Sequence, residues 1–224
     1  MSDKLTIANW SPEDQPRERL RDLGAHVLSD AELLAILVGS GSPGESAVEL
    51  MKRILSSCNN NLNTLGKLSI HELMQYSDFI FGDQDEWEVA TGVRQVPMDQ
   101  MMADSTLDMD AYRRYFDEMH RQFPHCREMM LGLRNQLTTN HHTLTALLWC
   151  DGTIYRTRIY DITHIVDPVG VGDAFVAAYI HAAEKWKGDP QRGLDFATAA
   201  AMMKNSVVGD FNLVTEEEIL EQLG

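Results

Sequence analysis

The alternation of apolar and polar positions changes its grammar once along this chain, near residue 75. Before that point Leu33, Leu34, Ile36 and Leu37, then Val48, Leu50, Met51, Ile54 and Leu55, recur at helical spacing and predict helices with core-facing stripes. Ser29-Asp30-Ala31-Glu32, Ser42-Pro43-Gly44-Glu45 and Ser69-Ile70-His71-Glu72 each set a hydroxyl three residues before a carboxylate, the pattern in which both groups satisfy orphan N–H donors at a helix start. Gly39 suits the end of the first of these helices. With no β-branched alternation, residues 1–75 are expected to form a small all-α domain.

Beyond Tyr76, short apolar runs alternate with long amphipathic stretches. Phe79-Ile80-Phe81, Met129 to Leu133, Leu144 to Trp149 and Ile165-Val166 read as strands, and Asp110 to Phe123, Ala174 to Trp186 and Leu194 to Val208 as helices. This predicts an α/β domain over residues 76–224. Asp151-Gly152 is a hairpin turn signal between Thr143 to Cys150 and Thr153 to Tyr160. Thr215-Glu216-Glu217-Glu218 predicts a capped final helix. Met74-Gln75-Tyr76-Ser77 contains neither Pro nor Gly, so a direct helical connection between the domains is expected.

Composition narrows the function classes. The 224 residues carry 34 acidic and 19 basic side chains, a formal charge of -15. Residues 1–75 hold 7 basic and 10 acidic groups, and the remainder 12 and 24. Such acidity argues against a general nucleic-acid or anionic-membrane surface, which needs clustered Lys and Arg. Cys58, Cys126 and Cys150 are too few and too scattered for a disulfide framework or a thiolate zinc site, so a reducing cytoplasmic setting is expected. Neither an export signal nor a membrane span is read from the chain. His120, His125 and Cys126 lack a second ligand cluster, and a solvated helix end is the favoured role. Core or loop packing is favoured for Met98, Met101, Met102 and Met109 over an adaptable binding surface. Gly39-Ser40-Gly41-Ser42-Pro43-Gly44 matches a dinucleotide fingerprint in letters, but it follows a helix where that fingerprint requires a strand.

The sharpest chemical feature is Asp167-Pro168-Val169-Gly170-Val171-Gly172-Asp173-Ala174-Phe175, between a strand-like run and a helix. Gly170 and Gly172 let backbone approach a ligand, and the N–H groups from Gly170 to Asp173 at a helix start form an anion site. A carboxylate there can accept a proton from an attacking hydroxyl while amides stabilise a transferring phosphoryl group. The alternative is an ordinary strand-to-helix turn with an acidic first turn.

Gly170-Val171-Gly172-Asp173-Ala174-Phe175 resembles the G-A-G-D-x-F signature of the ribokinase-like (PfkB) carbohydrate kinases. Ser77 to Glu86, Leu133-Arg134, Ile162 to Phe175 and Gly209 to Thr215 bring the likeness closest to 2-keto-3-deoxygluconate kinases. The resemblance implies a partial ribokinase-like three-layer α/β/α domain, preceded by the all-α domain. It implies ATP with magnesium, and a monovalent cation such as potassium, for phosphorylation of a sugar or sugar acid. Asp173 would be the catalytic base, and Gly170, Val171 and Gly172 the anion hole. Arg134, Ala199, Lys204 and Asn205 would bind the nucleotide, with Ala199 to Ser206 near the adenine. Asp83 and Glu86 occupy the ends of the family's N-x-x-E element, associated with magnesium, and Asp167 the position associated with the monovalent cation. Asp83 stands where that family has Asn, and Gly132 where it usually has Thr. The sugar-binding half has no counterpart in residues 1–75, which implies weak or absent turnover.

Trp10 to Leu20 and Leu28 to Gly41, continued by Asn60 to Gln75, resemble the N-terminal helical domain of RadC (UPF0758) proteins. That family's H-x-H metal element has no match, because His141 and His142 are adjacent. The implied partners are a nucleotide and a small sugar acid, with self-association allowed and nucleic acid disfavoured. The rival reading is a non-catalytic, repair-associated interaction module, which salt-dependent DNA binding would reveal. A third is a chimeric chain, which sequencing source DNA across the junction would test.

Overall fold

The computed structural model describes residues 7, 10–39, 41, 45–97 and 107–223. The chain divides into two compact units, Met1–Tyr76 and Ser77–Gly224.

In the first unit the described helices are α1 (Pro16–Leu23), α2 (Asp30–Val38), α3 (Ala47–Ser57), α4 (Leu62–Leu65) and α5 (Ile70–Met74). Capping boxes form at Ser29/Glu32 and Ser69/Glu72 as the spacing predicts. The expected box at Ser42 to Glu45 falls largely outside the described residues. Ser46 and Glu49 cap α3 instead, and Glu45 is ion-paired with Arg53 at 3.0 Å. The core is Ala31, Ala35, Ala47, Val48, Met51 and Leu55. This corrects the stripe expected on α2, where Leu37 is 82% exposed and the two alanines turn inward. Because α2 is apolar nearly all round, no stripe stood out, and the small residues took the face that packs closely on α3. The buttress for α2 is Arg19, which bonds both Glu32 and the Val27 carbonyl. The expected continuous helix at the junction is also corrected: α5 stops at Met74, and Gln75-Tyr76 form a turn before the next strand.

The second unit is one mixed sheet between helical layers. Its strands are β1 (Phe79–Asp83), β2 (Glu128–Thr138), β3 (His141–Cys150), β4 (Thr153–Arg156) and β5 (Tyr160–Ile162). β1 pairs parallel to β2, β2 antiparallel to β3, and β4 and β5 share the other edge of β3. The Asp151-Gly152 turn has φ of 46° and 85°, the left-handed pair that a tight hairpin requires. Ile165-Val166, expected as a strand, is irregular; the strand is β5, three residues earlier. The helices are α6 (Gln84–Thr91), α7 (Met109–Gln122), α8 (Val171–Lys185), α9 (Pro190–Lys204) and α10 (Glu216–Glu221). α9 ends at Lys204, short of the expected Val208.

Met130, Ala146 and Leu148 turn to one face and pack on Phe175 and Tyr179 of α8 and on Leu194, Ala197 and Ala201 of α9. On the opposite face Trp149 meets His120 of α7, with ring centroids 4.5 Å apart, while Trp87 of α6 stacks on Tyr115 and meets Phe116 edge-on. His120 is thus packed against the sheet. Cys126 is buried, and burial pushes its thiol up to about 12, the setting of an inert thiol and not of a metal ligand. Among the described residues no three His, Cys, Asp or Glu side chains gather as a metal site, and no helix is long and apolar enough to cross a membrane. Met109 opens α7; Met98, Met101 and Met102 lie outside the described residues.

The break between β4 and β5 is held by one side chain. Thr157, 2% exposed, accepts a hydrogen bond from the Ala146 N–H through its hydroxyl (3.0 Å), while its own N–H donates to the Ala146 carbonyl (3.1 Å). The Thr145 hydroxyl donates to the Thr157 carbonyl (3.1 Å). Thr157→Val keeps the shape and strands the buried Ala146 N–H, so urea denaturation should show a loss of about 1–3 kcal/mol. Thr157→Ser, which keeps the acceptor, should lose less.

Candidate phosphate-binding site

The chain leaving β5 reaches the start of α8 through a loop fixed to the end of α9. The Val166 N–H donates to the Asn205 carbonyl (2.8 Å), and the Asp167 N–H reaches the same oxygen (3.2 Å). Asp167 then clamps two backbones: one carboxylate oxygen accepts from the Val169 N–H (3.0 Å) and the other from the Gly209 N–H (2.8 Å). These donors hold the Asp167 carboxyl below the usual carboxylate range, and the Lys204 charge adds to the effect. Lys204 has no exposed surface and donates from its ammonium to the Val207 carbonyl (2.9 Å). Asn205, 4% exposed, donates through its amide to the Ala201 carbonyl (2.9 Å).

Past the clamp the backbone turns at Gly170, the N-cap of α8, with φ 76°. A Cβ there would lie 2.3 Å from the Asp210 carbonyl oxygen, so the close approach of residues 170 and 210 requires glycine. Gly172 differs, since a Cβ would meet nothing within 4 Å. Asp173 sits exposed in the first turn of the helix. No side chain caps this helix. α2, α3, α5, α6 and α10 carry capping boxes, and side chains also cap α4, α7 and α9; α1, which opens with Pro16, shares the lack of a side-chain cap with α8. The Val171 N–H, expected in the anion hole, donates to the Pro168 carbonyl (3.4 Å), so the turn presents the Gly172 and Asp173 N–H groups at the positive end of a 15-residue dipole with no side-chain acceptor at the cap.

The remaining candidates fall in different places. Asp83 and Glu86 lie at the end of β1 and the start of α6, where they form a capping box: the Glu86 N–H donates to Asp83 (2.8 Å) and the Asp83 N–H to Glu86 (2.9 Å). Each leaves one carboxylate oxygen outside that box, so the pair retains two oxygens suited to a hard cation. The D-x-x-E spacing already carried this cap, and the sequence reading missed it. Arg134 is exposed on β2, and its charge, behind the larger effect of burial, lowers the pKa of His142. Ala199 has no exposed surface and packs with Tyr160, Ile162 and Phe196. Direct contact with a nucleotide is therefore corrected for Ala199, Lys204 and Asn205: all three lie beneath the surface, and the last two hold the loop that carries the turn. Asp167 has both oxygens on backbone N–H groups and serves as the clamp between the two loops. Gly209 and Asp210, which the sequence analysis singled out for the family resemblance alone, are the partners of the clamp and of the Gly170 turn.

Residues 7–79 match the family model for the UPF0758 N-terminal region. A UPF0758 protein of Flavobacterium johnsoniae is 54% identical over 72 residues, 32% of this chain and 31% of that protein. One from Dechloromonas aromatica aligns at 26% identity over 225 residues, 92% of each chain. Among solved structures, a 2-dehydro-3-deoxygluconokinase from Thermotoga maritima superposes with a TM-score of 0.57 at 26% identity, over 67% of this chain and 42% of that kinase. A PfkB family carbohydrate kinase from Listeria grayi gives 0.57 at 23% identity, over 80% of this chain and 56% of that one. The matched region spans about a third of the first UPF0758 relative, and the chain spans 42% and 56% of the two kinases. Both resemblances read from the sequence are borne out, and the fold is ribokinase-like α/β/α with a helical N-terminal region.

Gly170→Ala should cost about 1–3 kcal/mol through its left-handed backbone, with the clash at Asp210 added. Gly172→Ala should leave the melting temperature close to wild type. For Asp167, a depressed folded pKa means that its stabilisation is complete above the unfolded value, near 3.9, and is lost as pH falls through the lower folded value. Thermal melts from about pH 6 to about pH 3 should therefore show a steeper acid limb in wild type than in Asp167→Asn. Identical limbs would remove Asp167 from the clamp.

Proposed function

We propose that residues 77–224 form the nucleotide-binding portion of a kinase acting on a sugar or sugar acid, with the α8 turn as its phosphate cradle and Asp173 as its base. The observation that carries this reading is the uncapped start of α8, presented behind Gly170 beside an exposed carboxylate. Such a turn lacks an acceptor that a phosphate supplies. ATP, when bound, supplies the transferable phosphoryl group.

The N–H groups of Gly172 and Asp173 would hold phosphate oxygens, and the helix dipole would offset the charge developing on them. Asp173 would accept the proton of the acceptor hydroxyl, worth about 10²–10⁴ in rate. The free oxygens of Asp83 and Glu86 would hold magnesium, which offsets the like charge that these carboxylates bring near phosphates. Exposed Val166, Val169, Val208 and Phe211, carried on the two clamped loops, offer an apolar surface for the base. Asp167, Lys204 and Asn205 act beneath by fixing those loops. The likeness to the Thermotoga maritima kinase supports a sugar acid as acceptor.

Calorimetric titration with ATP and magnesium should give saturable binding that weakens in Gly172→Ala. In a coupled ADP-release assay with 2-keto-3-deoxygluconate, Asp173→Asn should abolish sugar-dependent turnover while leaving ATP affinity within a few-fold. Absence of ATP binding by the folded wild-type chain would refute the reading.

A further inference from the structure

A second site lies away from the α8 turn, where β4, the Thr157 break, the first turn of α9 and α10 meet. It is a cavity of 810 Å³, inside the size range of small-molecule sites. Arg156, Arg158 and Arg192 all line it, in a unit whose net charge is -12. None of the three takes part in an ion pair among the described residues, although Asp189 and Asp195 line the same cavity.

Those two carboxylates have other partners. Asp189 is the N-cap of α9 and accepts the Arg192 N–H (3.1 Å). Asp195 accepts the Gln191 amide on both oxygens, each at 3.1 Å; burial raises its pKa, partly offset by that hydrogen bond and by the charge of Arg158, with which it forms no ion pair. Two of the three guanidiniums, by contrast, are held by neutral groups. Arg158 lies 4.5 Å over the Tyr160 ring and donates to the Gln222 carbonyl. Arg192 lies 4.3 Å over the Trp186 ring. Stacking fixes the plane of the Arg192 guanidinium while leaving its N–H fork open, and Arg158, with one nitrogen on the Gln222 carbonyl, keeps its other donors, so little side-chain entropy remains to be lost on binding. The far wall is apolar, formed by Leu220 and Leu223.

We infer that this cleft binds a small organic anion, with its phosphate or carboxylate in the Arg156, Arg158 and Arg192 forks and an apolar part against Leu220 and Leu223. Bidentate recognition by arginine suits either headgroup. The inference stands apart from the α8 turn and does not depend on kinase activity.

The test titrates the full chain calorimetrically with phenyl phosphate and with benzoate, which share a ring and differ in headgroup. Saturable one-to-one binding of at least one probe is expected, and the stronger of the two identifies the headgroup. Arg156→Ala with Arg192→Ala should weaken it about tenfold or more. Arg156→Lys with Arg192→Lys keeps both charges and guards against misfolding; it should also bind more weakly, because the fork is lost. Asp173→Asn and Gly172→Ala should bind as wild type. No saturable binding of either probe at millimolar concentration overturns the inference. So does undiminished binding by the folded arginine variants, or loss of binding in Gly172→Ala, which would move the anion to the α8 turn.

Discussion

Met129, Met130 and Leu131 of β2 are consecutive and none has any exposed surface. A strand whose neighbouring side chains point to opposite faces can bury all of them only if both faces are covered. That requirement sets the layout of the second unit. α8 and α9 must lie on one face of the hairpin, α6 and α7 on the other, and the chain must cross between the layers through loops at the sheet ends. The site is built on two loops, residues 163–170 leading from the sheet to α8 and residues 205–214 leading from α9 to α10.

The α8 turn is positioned by a sequence of local constraints. Thr157 breaks the outer strand so that β5 resumes pairing at the far end of β3, which aims the following loop toward the end of α9. Asp167 and the Asn205 carbonyl then join that loop to the one after α9. Gly170 allows the backbone to pass against Asp210. By the time the chain enters α8, its first N–H groups are fixed without help from a capping side chain. Rigid placement of an otherwise unsatisfied turn separates an anion site from an ordinary helix start.

Charge tells a parallel story at the Arg156, Arg158 and Arg192 cleft. A unit with twice as many acids as bases would be expected to neutralise each arginine. Here aromatic rings and a backbone carbonyl hold the Arg158 and Arg192 guanidiniums while the nearby carboxylates are occupied by an amide and a helix start. The charge is retained at the surface of the cleft instead of being cancelled inside it.

Features that depend on a few adjacent residues were legible in the sequence. The capping boxes at Ser29, Ser69 and Thr215, the Asp151-Gly152 hairpin and the glycine turn before α8 follow from side-chain reach and backbone sterics, which act over four or five residues. The change of grammar near residue 75 was legible too, because helical and strand periodicities differ. What only the tertiary structure decided is long-range. Leu37 and Ala35 exchanged their expected burial because a helix apolar on several sides carries no record of which side finds a partner. Ile165-Val166 has strand-like residues, yet β3 already offers its edge to β4 and β5, so the Ile165 N–H donates to the Asn140 carbonyl and the Val166 N–H to the Asn205 carbonyl instead. Lys204 and Asn205 read as surface polar groups near a ligand; folding buries both and turns their hydrogen bonds toward the backbone. The convergence of three arginines from β4, the strand break and α9 is of the same kind. No spacing along the chain encodes it, because it arises only when the α9 helix is laid across the sheet edge.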